Sequence, residues 1–297
     1  VIKECHHSRR QPSSSNQYEI AMVQFYRYTR PHPHPDLIQG IWSLMCDDTA
    51  TEFELVSDGY PEIIFHLSGK IRFEIGEEEF EVDHHCVVGN IDTYIKVYFE
   101  PGSVFISLKL MPWALPHFIG SSACEVTNKV VPLDTYGPLP RTLQLNNNSE
   151  DAVFECIQSQ IVPFIDNLTS DVQKTVPLLS SNILQLFEDV QNLSLDYKNG
   201  FSGSKRYFEK LYKQHVGLSP MKYRRLLKIK KASLLLADSQ AEPNMTSLAL
   251  ALGYFDLSHF NKDFYRFTKT APTQFVRKTG SSPVLINDEY KQQYEYS

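Results

Sequence analysis

Between Ala249 and Phe267 the chain reads ALALGYFDLSHFNKDFYRF, and few local structures suit such a run. Phe260, Phe264 and Phe267 recur at i, i+4 and i+7, so a helix turns all three rings to one side. Gly253, just ahead, offers the left-handed turn that other residues resist, and Asp256 offers a carboxylate to cap the helix that follows. Thr246 to Leu252 reads as a short apolar helix before that turn. The product is a helix-turn-helix. Its second helix buries the phenylalanines and turns Leu257, Ser258, Asn261 and Lys262, after Asp256, toward whatever lies outside, as a recognition helix does in a major groove.

A second unit precedes the first in the chain. Ser204-Lys-Arg-Tyr-Phe-Glu-Lys-Leu-Tyr212 starts with a capping serine and places Phe208, Leu211 and Tyr212 on one side. Lys205, Arg206, Glu209 and Lys210 are left for the other side, together with Ser204 a polar set suited to phosphates and base edges. Gly217-Leu-Ser-Pro220 then supplies a turn glycine, an N-cap serine and a proline at the first helical position. From Pro220 to Ala237 there is no breaker, and at 1.5 Å per residue this stretch spans about 27 Å. A stiff rod of that length holds two reading heads near the roughly 34 Å repeat of B-DNA.

Charge follows the same division. Leu195 to Gly280 carries 16 Lys and Arg against 6 Asp and Glu, whereas the rest of the chain carries 13 against 29. The formal net charge of -6 therefore conceals a basic block on an acidic chain. Such a block is the footprint of nucleic-acid binding, because cations placed on phosphates release counterions. A lysine-rich segment also fits a solvated helix surface, so the pattern of residues, rather than the charge, carries the assignment.

The stretch of about Val190 to Arg277 resembles the C-terminal DNA-binding module of the AraC family of transcription regulators. The resemblance rests on Gly217-Leu-Ser-Pro220 and on Gly253-Tyr-Phe-Asp-Leu-Ser-His-Phe-Asn-Lys-Asp-Phe-Tyr-Arg-Phe267, followed by Pro272 and Phe275. It implies a bacterial-type regulator whose base contacts come from the helices starting near Ser204 and Asp256, with Arg225 on the linking helix touching the DNA backbone. Two departures stand out. Lys198-Asn-Gly-Phe-Ser-Gly203 lengthens the first turn, and Ala271 stands before Pro272 where Ser or Thr is usual, leaving the last helix without a side-chain cap.

The N-terminal half reads as β. Glu62–Leu67, Lys70–Ile75, Phe80–Val82, Thr93–Phe99 and Val104–Leu110 alternate or run in β-branched and aromatic residues, with Gly69, Gly76, Gly89-Asn90 and Pro101-Gly102 between them. Short strands at this spacing suggest a barrel or sandwich. Pro35-Asp-Leu-Ile-Gln-Gly-Ile-Trp42 and Ser57-Asp-Gly-Tyr-Pro-Glu-Ile-Ile-Phe-His66 resemble a β-rich domain of unknown function found ahead of AraC-like modules, and imply a cupin-like barrel. Trp42, Tyr60 and Trp113 read as core or rim packing. The fold class expected is thus α+β and multidomain. Residues 1–21 read as a disordered leader, with Met22 a candidate first residue. A β-rich sensor or assembly domain is expected over 22–140, a helical connector over 141–172, a double helix-turn-helix domain over 173–280 and a tail over 281–297. Asp151–Asp166 and Gln173–Val190 are helix candidates, limited by Pro163 and Pro177.

The partners expected are double-stranded DNA, a small-molecule effector and a second copy of the chain; no cofactor is expected and no membrane, since no apolar run approaches the about 18–20 residues of a spanning helix. The chain reads as cytoplasmic, with its five separated cysteines as reduced thiols. A cupin-like metalloenzyme with an accessory helical domain is the competing reading, resting on His66, His84, His85 and Cys86. Neighbouring His84 and His85 on a strand would face opposite ways, and His32 and His34 lie in a proline-rich lead-in. No Gly-rich phosphate loop, Gly-x-Ser-x-Gly or His-Glu-x-x-His occurs, so no metal or catalytic residue is assigned.

Overall fold

The computed structural model describes residues 23–28, 35–46, 50–136, 143, 150–166, 204–238 and 244–278. The 1–21 leader, Cys5, His32, His34, the Gln173–Val190 helix candidate, the Lys198–Gly203 turn and the 281–297 tail lie outside them.

Among the described residues, ten strands build the N-terminal part: β1 (Val23–Tyr28), β2 (Ile38–Cys46), β3 (Thr51–Leu55), β4 (Glu62–Ser68), β5 (Ile71–Ile75), β6 (Glu78–Val82), β7 (Cys86–Val88), β8 (Ile95–Phe99), β9 (Val104–Leu110) and β10 (Val130–Pro132). They pair antiparallel in two sheets, of order β1-β2-β9-β4-β7-β10 and β3-β8-β5-β6. Gly76, at φ 66°, turns β5 into β6 with Ile75 opposite Glu78, the short hairpin that the sequence marks. The sheets face each other across Leu44, Phe53, Ile64, Phe73, Val97 and Phe105, which fill the space between them. Phe99 stacks on Phe105 there, with centroids 5.7 Å apart, and Trp42 meets Phe105 edge-on. Two facing antiparallel sheets are the barrel-or-sandwich arrangement that the strand spacing suggests.

The outer face of the larger sheet is covered as well. β9 lies between β2 and β4 with every residue buried, because its two faces serve two cores. The outer core joins Ile63, Phe65, Ile106 and Leu108 to Leu115 and Phe118 around a short helix, α1 (Pro116–Ile119), and to Val153, Ile157 and Ile161. The last three lie on a helix that opens as α2 (Glu150–Cys156), widens into a π turn at Ile157–Ile161 and continues to 166. Proline inside a helix collides with the carbonyl four residues back; here Val162 N–H bonds Ile157 O in the wider register just ahead of Pro163. Phe154 meets Tyr28 of β1 at 5.7 Å, so this helix packs directly on the sheet.

Among the described residues, five helices form the C-terminal part: α3 (Lys205–Val216), α4 (Pro220–Asp238), α5 (Met245–Ala251), α6 (Leu257–Thr268) and α7 (Pro272–Lys278). Their common core holds Phe208, Tyr212, Tyr223, Phe260, Phe264 and Phe267. Trp113 joins this core from the β-domain side, so the two parts share packed apolar surface.

Candidate nucleic-acid interface

Each reading helix is built by the local signals found in the sequence. Ser204 Oγ accepts the Tyr207 N–H at 3.2 Å and caps α3, whose C-terminus closes on Gly217 at φ 83°. A side chain at Gly217 would also run into Thr127 of the β-domain, so glycine is needed there twice over. Asp256 Oδ1 accepts the His259 N–H at 2.7 Å and caps α6. Ser219 Oγ receives the Lys222 N–H at 3.4 Å at the start of α4, and Gly253 makes its turn at φ 71°. One cap escaped the sequence reading: Asn244 accepts the Ser247 N–H at 3.0 Å, which starts α5 at Met245, one residue before Thr246.

With the rings turned inward, the polar sets come outward. On α3, Ser204, Lys205, Arg206 and Lys210 are exposed and Glu209 is half-buried, with Lys205 Nζ 3.8 Å from the Glu209 carboxylate. On α6, Asp256, Ser258, Asn261 and Lys262 are exposed and Leu257 is half-buried. Arg225 is placed differently. Its Nε lies 3.1 Å from Asp263 Oδ2, a buried carboxylate on α6, so this arginine ties the linking helix to the second reading helix. His259 Nε2 stands 3.8 Å from the same oxygen. Beside them, burial first and the Asp263 charge second push the Tyr254 phenol up. Lys228 Nζ donates to Gly253 O at 2.9 Å, bracing the turn from α4.

The sequence reading passed over Phe255, whose ring is 91% exposed immediately before the α6 cap. The signal was present: of the phenylalanines in this run, it alone lies outside the i, i+4, i+7 series of the buried rings. Tyr265, one turn beyond Asn261 and Lys262, is also exposed.

The histidines behind the metal reading do not converge. His66 Nε2 bonds Gly69 O at 2.7 Å, His84 Nδ1 bonds Asp83 at 2.8 Å, and the His85 ring packs edge-on against Phe65. His84 and His85 lie in the bend before β7 rather than on a strand. Among the described residues no group of three or more His, Cys, Asp or Glu is placed to hold a metal ion. Cys86 is fully buried, and burial pushes its thiol well up, away from the reactive thiolate.

Two reading helices with buried aromatic stripes, joined by one long helix, define the C-terminal part as an AraC-type helix-turn-helix domain. A family model described as a helix-turn-helix domain matches residues 199–278, and one described as a domain of unknown function (DUF6597) matches residues 29–132. An uncharacterized HTH-type transcriptional regulator from Haemophilus influenzae is 31% identical over 72 residues, which are 24% of this chain and 24% of that protein. The chain thus spans about a quarter of the curated relative it matches. Among solved structures, ToxT from Vibrio cholerae O395 aligns over 87% of this chain and 98% of its own, with a TM-score of 0.38 and 10% identity. The EutQ protein of Clostridium difficile aligns over 30% of this chain and 67% of its own, with a TM-score of 0.21 and 14% identity.

Proposed function

We propose that this chain is a sequence-specific DNA-binding transcription regulator of the AraC type, working by binding rather than catalysis. The observation that carries this reading is the pair of capped helices, α3 and α6, each with its phenylalanine rings buried and most of its polar face exposed, on either side of the long helix α4. Their N-termini are electropositive ends to which phosphates are drawn, and they carry Lys205, Arg206 and Lys210 on one helix and Lys262 on the other. Arg206, Glu209, Lys210, Ser258 and Asn261 read base edges in this account; Ser204, Lys205 and Lys262 set the helices on the backbone. Phe255 joins the interface as an apolar contact, suited to a thymine methyl. Arg225, held by Asp263, acts by fixing α4 to α6.

The β-domain serves as the sensing or dimerising part and the protein works in the cytoplasm; no helix among the described residues is long and apolar enough to cross a membrane. Because Phe53, Phe73, Phe99 and Phe105 fill the space between the sheets, a small-molecule effector has to displace side chains there or bind at another surface.

Selection of bound sites from a random duplex pool with the full chain tests the reading. The expected result is two short conserved half-sites about one helical turn, or about 10–10.5 base pairs, apart. Recovery of no enriched sequence overturns it. Asn261→Ala and Arg206→Ala each relax preference at one position of one half-site, at a cost of about 1–3 kcal/mol per lost base contact.

A further inference from the structure

The C-terminal ends of both reading helices are held by the β-domain: its 89–94 loop touches both, and its Ser122–Glu125 turn adds contacts to α3. A helix leaves its last carbonyls without partners of its own. On α3 the β-domain supplies donors: the Cys124 thiol to Lys213 O at 3.0 Å, Ser122 Oγ to Gln214 O at 3.3 Å, and Asn90 Nδ2 to Val216 O at 2.8 Å. Two residues beyond Asn90, Asp92 takes hold of α6. Arg266 Nη2 donates to Asp92 Oδ2 at 3.0 Å, and Arg266 Nε to the Asp92 backbone carbonyl at 3.1 Å. Lys222 Nζ, at the start of α4, lies 3.1 Å from the same Oδ2. The Asp92 side chain is 3% exposed.

The loop is itself braced. Gly89 N–H bonds Lys129 O, Asn128 N–H bonds Asn90 O, and Asn128 exchanges two hydrogen bonds with Asp92, one to its carboxylate and one from its N–H. No β-carbon fits at Gly89, because Val126 O occupies the space. Burial works against the Asp92 carboxylate, yet the hydrogen bonds from Asn128 and Lys222 and the charge of Arg266 hold its carboxyl below the usual range. Meanwhile α3 packs more extensively on the Ala123–Glu125 turn of the β-domain than on α4. The β-domain therefore shares with the long helix the placing of the first reading helix.

We infer that Asn90 and Asp92 are positioning residues for DNA reading: the 89–94 loop fixes the separation and relative orientation of α3 and α6, and so sets the half-site spacing that the protein accepts. This rests on the DNA-binding reading above and adds a role for the β-domain in it. The domain clamps the ends of the helices opposite the reading ends, leaving the N-termini of α3 and α6 open to the duplex. A substitution that breaks the clamp removes discrimination between spacings without removing either set of base contacts.

The test compares the full wild-type chain with Asp92→Ala and Arg266→Ala on the selected site, on versions with one base pair added or removed between the halves, and on a single half-site at low salt. Asp92→Ala leaves Arg266 and Lys222 able to reach water, since their side chains are 43% and 53% exposed, and Arg266→Ala breaks the same pair from its exposed side. One base pair moves a half-site by about 3.4 Å. The wild-type chain is expected to lose at least about tenfold in affinity on that change and both variants less than about threefold, with single half-site binding within about twofold of wild type. A wild-type chain that tolerates the extra base pair overturns the proposal. So do variants that keep the wild-type discrimination, or that lose single half-site binding in the same proportion. A wild-type chain that prefers no duplex sequence removes the DNA-binding reading itself, and the spacing role with it.

Discussion

The two reading helices are alike in build and unlike in support. α6 is held by its own domain: Phe264 packs edge-on against Phe275 at 5.3 Å, Phe260 against Tyr254 at 5.4 Å, and Asp263 pairs with Arg225 of α4. α3 buries Phe208 and Tyr212 in the same core, but its C-terminal carbonyls and His215 rest on the β-domain. A helix whose last turn is satisfied by a neighbouring domain depends on that domain for its position as well as its stability. The second unit thus has most of its support within the helical part and one tie to the β-domain, at Asp92, whereas the first is completed by the acidic half of the chain.

The largest effect expected is at the shared core. Phe260→Ala removes a fully buried ring and should cost about 3–5 kcal/mol in urea denaturation of the full chain, with Phe208→Ala close behind. A small cost for Phe208 alone would mean that the first unit lacks a core of its own. Asn90→Ala separates the two helices more sharply. Losing its bonds to Val216 O and Pro112 O should cost about 1–3 kcal/mol and speed hydrogen exchange in α3 while α6 stays protected. Equal acceleration in both helices would break the comparison.

The caps come next. Ser204→Ala should cost about 1 kcal/mol, and Asp256→Ala about 0.3–1 kcal/mol more, because a carboxylate also meets the helix dipole. Thermal melting of the two variants checks the order.

Acidification acts through the buried histidine pair where α3 meets the β-domain. Burial first, and the facing His215 second, push His117 down to about 4. His215 is itself lowered by burial, partly offset by its bond to the Trp113 backbone. Between that value and the ordinary histidine pKa of about 6.5, the unfolded chain binds more protons than the folded one. Stability is therefore complete above that window and falls as pH drops through it, and His117→Gln should flatten the slope. Unfolding midpoints measured across the window read this directly, and an unchanged slope in the variant would contradict it.

Both reading helices were legible in the sequence because everything that makes them is local: caps at Ser204 and Asp256, turn glycines at Gly217 and Gly253, rings at helical spacing. The five strands named in the β half were legible for the same reason. β2 was missed because it is covered on both faces along most of its length and has no alternation to read. β3 is short, and β7 and β10 run for three residues each, too little for any periodicity. Lys109 reads as a surface lysine on a strand, yet it is buried between Asp58, at 2.7 Å, and Glu62. The clamp was out of reach altogether. Asn90 meets Val216 across 126 positions and Asp92 meets Arg266 across 174, and no local pattern marks either partner. For the same reason the pairing of Arg225 with Asp263 had no local mark, and the resemblance implied only a contact of Arg225 with the DNA backbone.

If a basic pair of helices on a chain of net charge -6 grips duplex phosphates, salt must loosen that grip. The most direct measurement is the affinity of the full chain for its selected duplex as a function of salt. The account predicts a linear fall of log affinity with log salt, amounting to about three orders of magnitude between about 50 and 200 mM. An affinity that stays level across that range would contradict it.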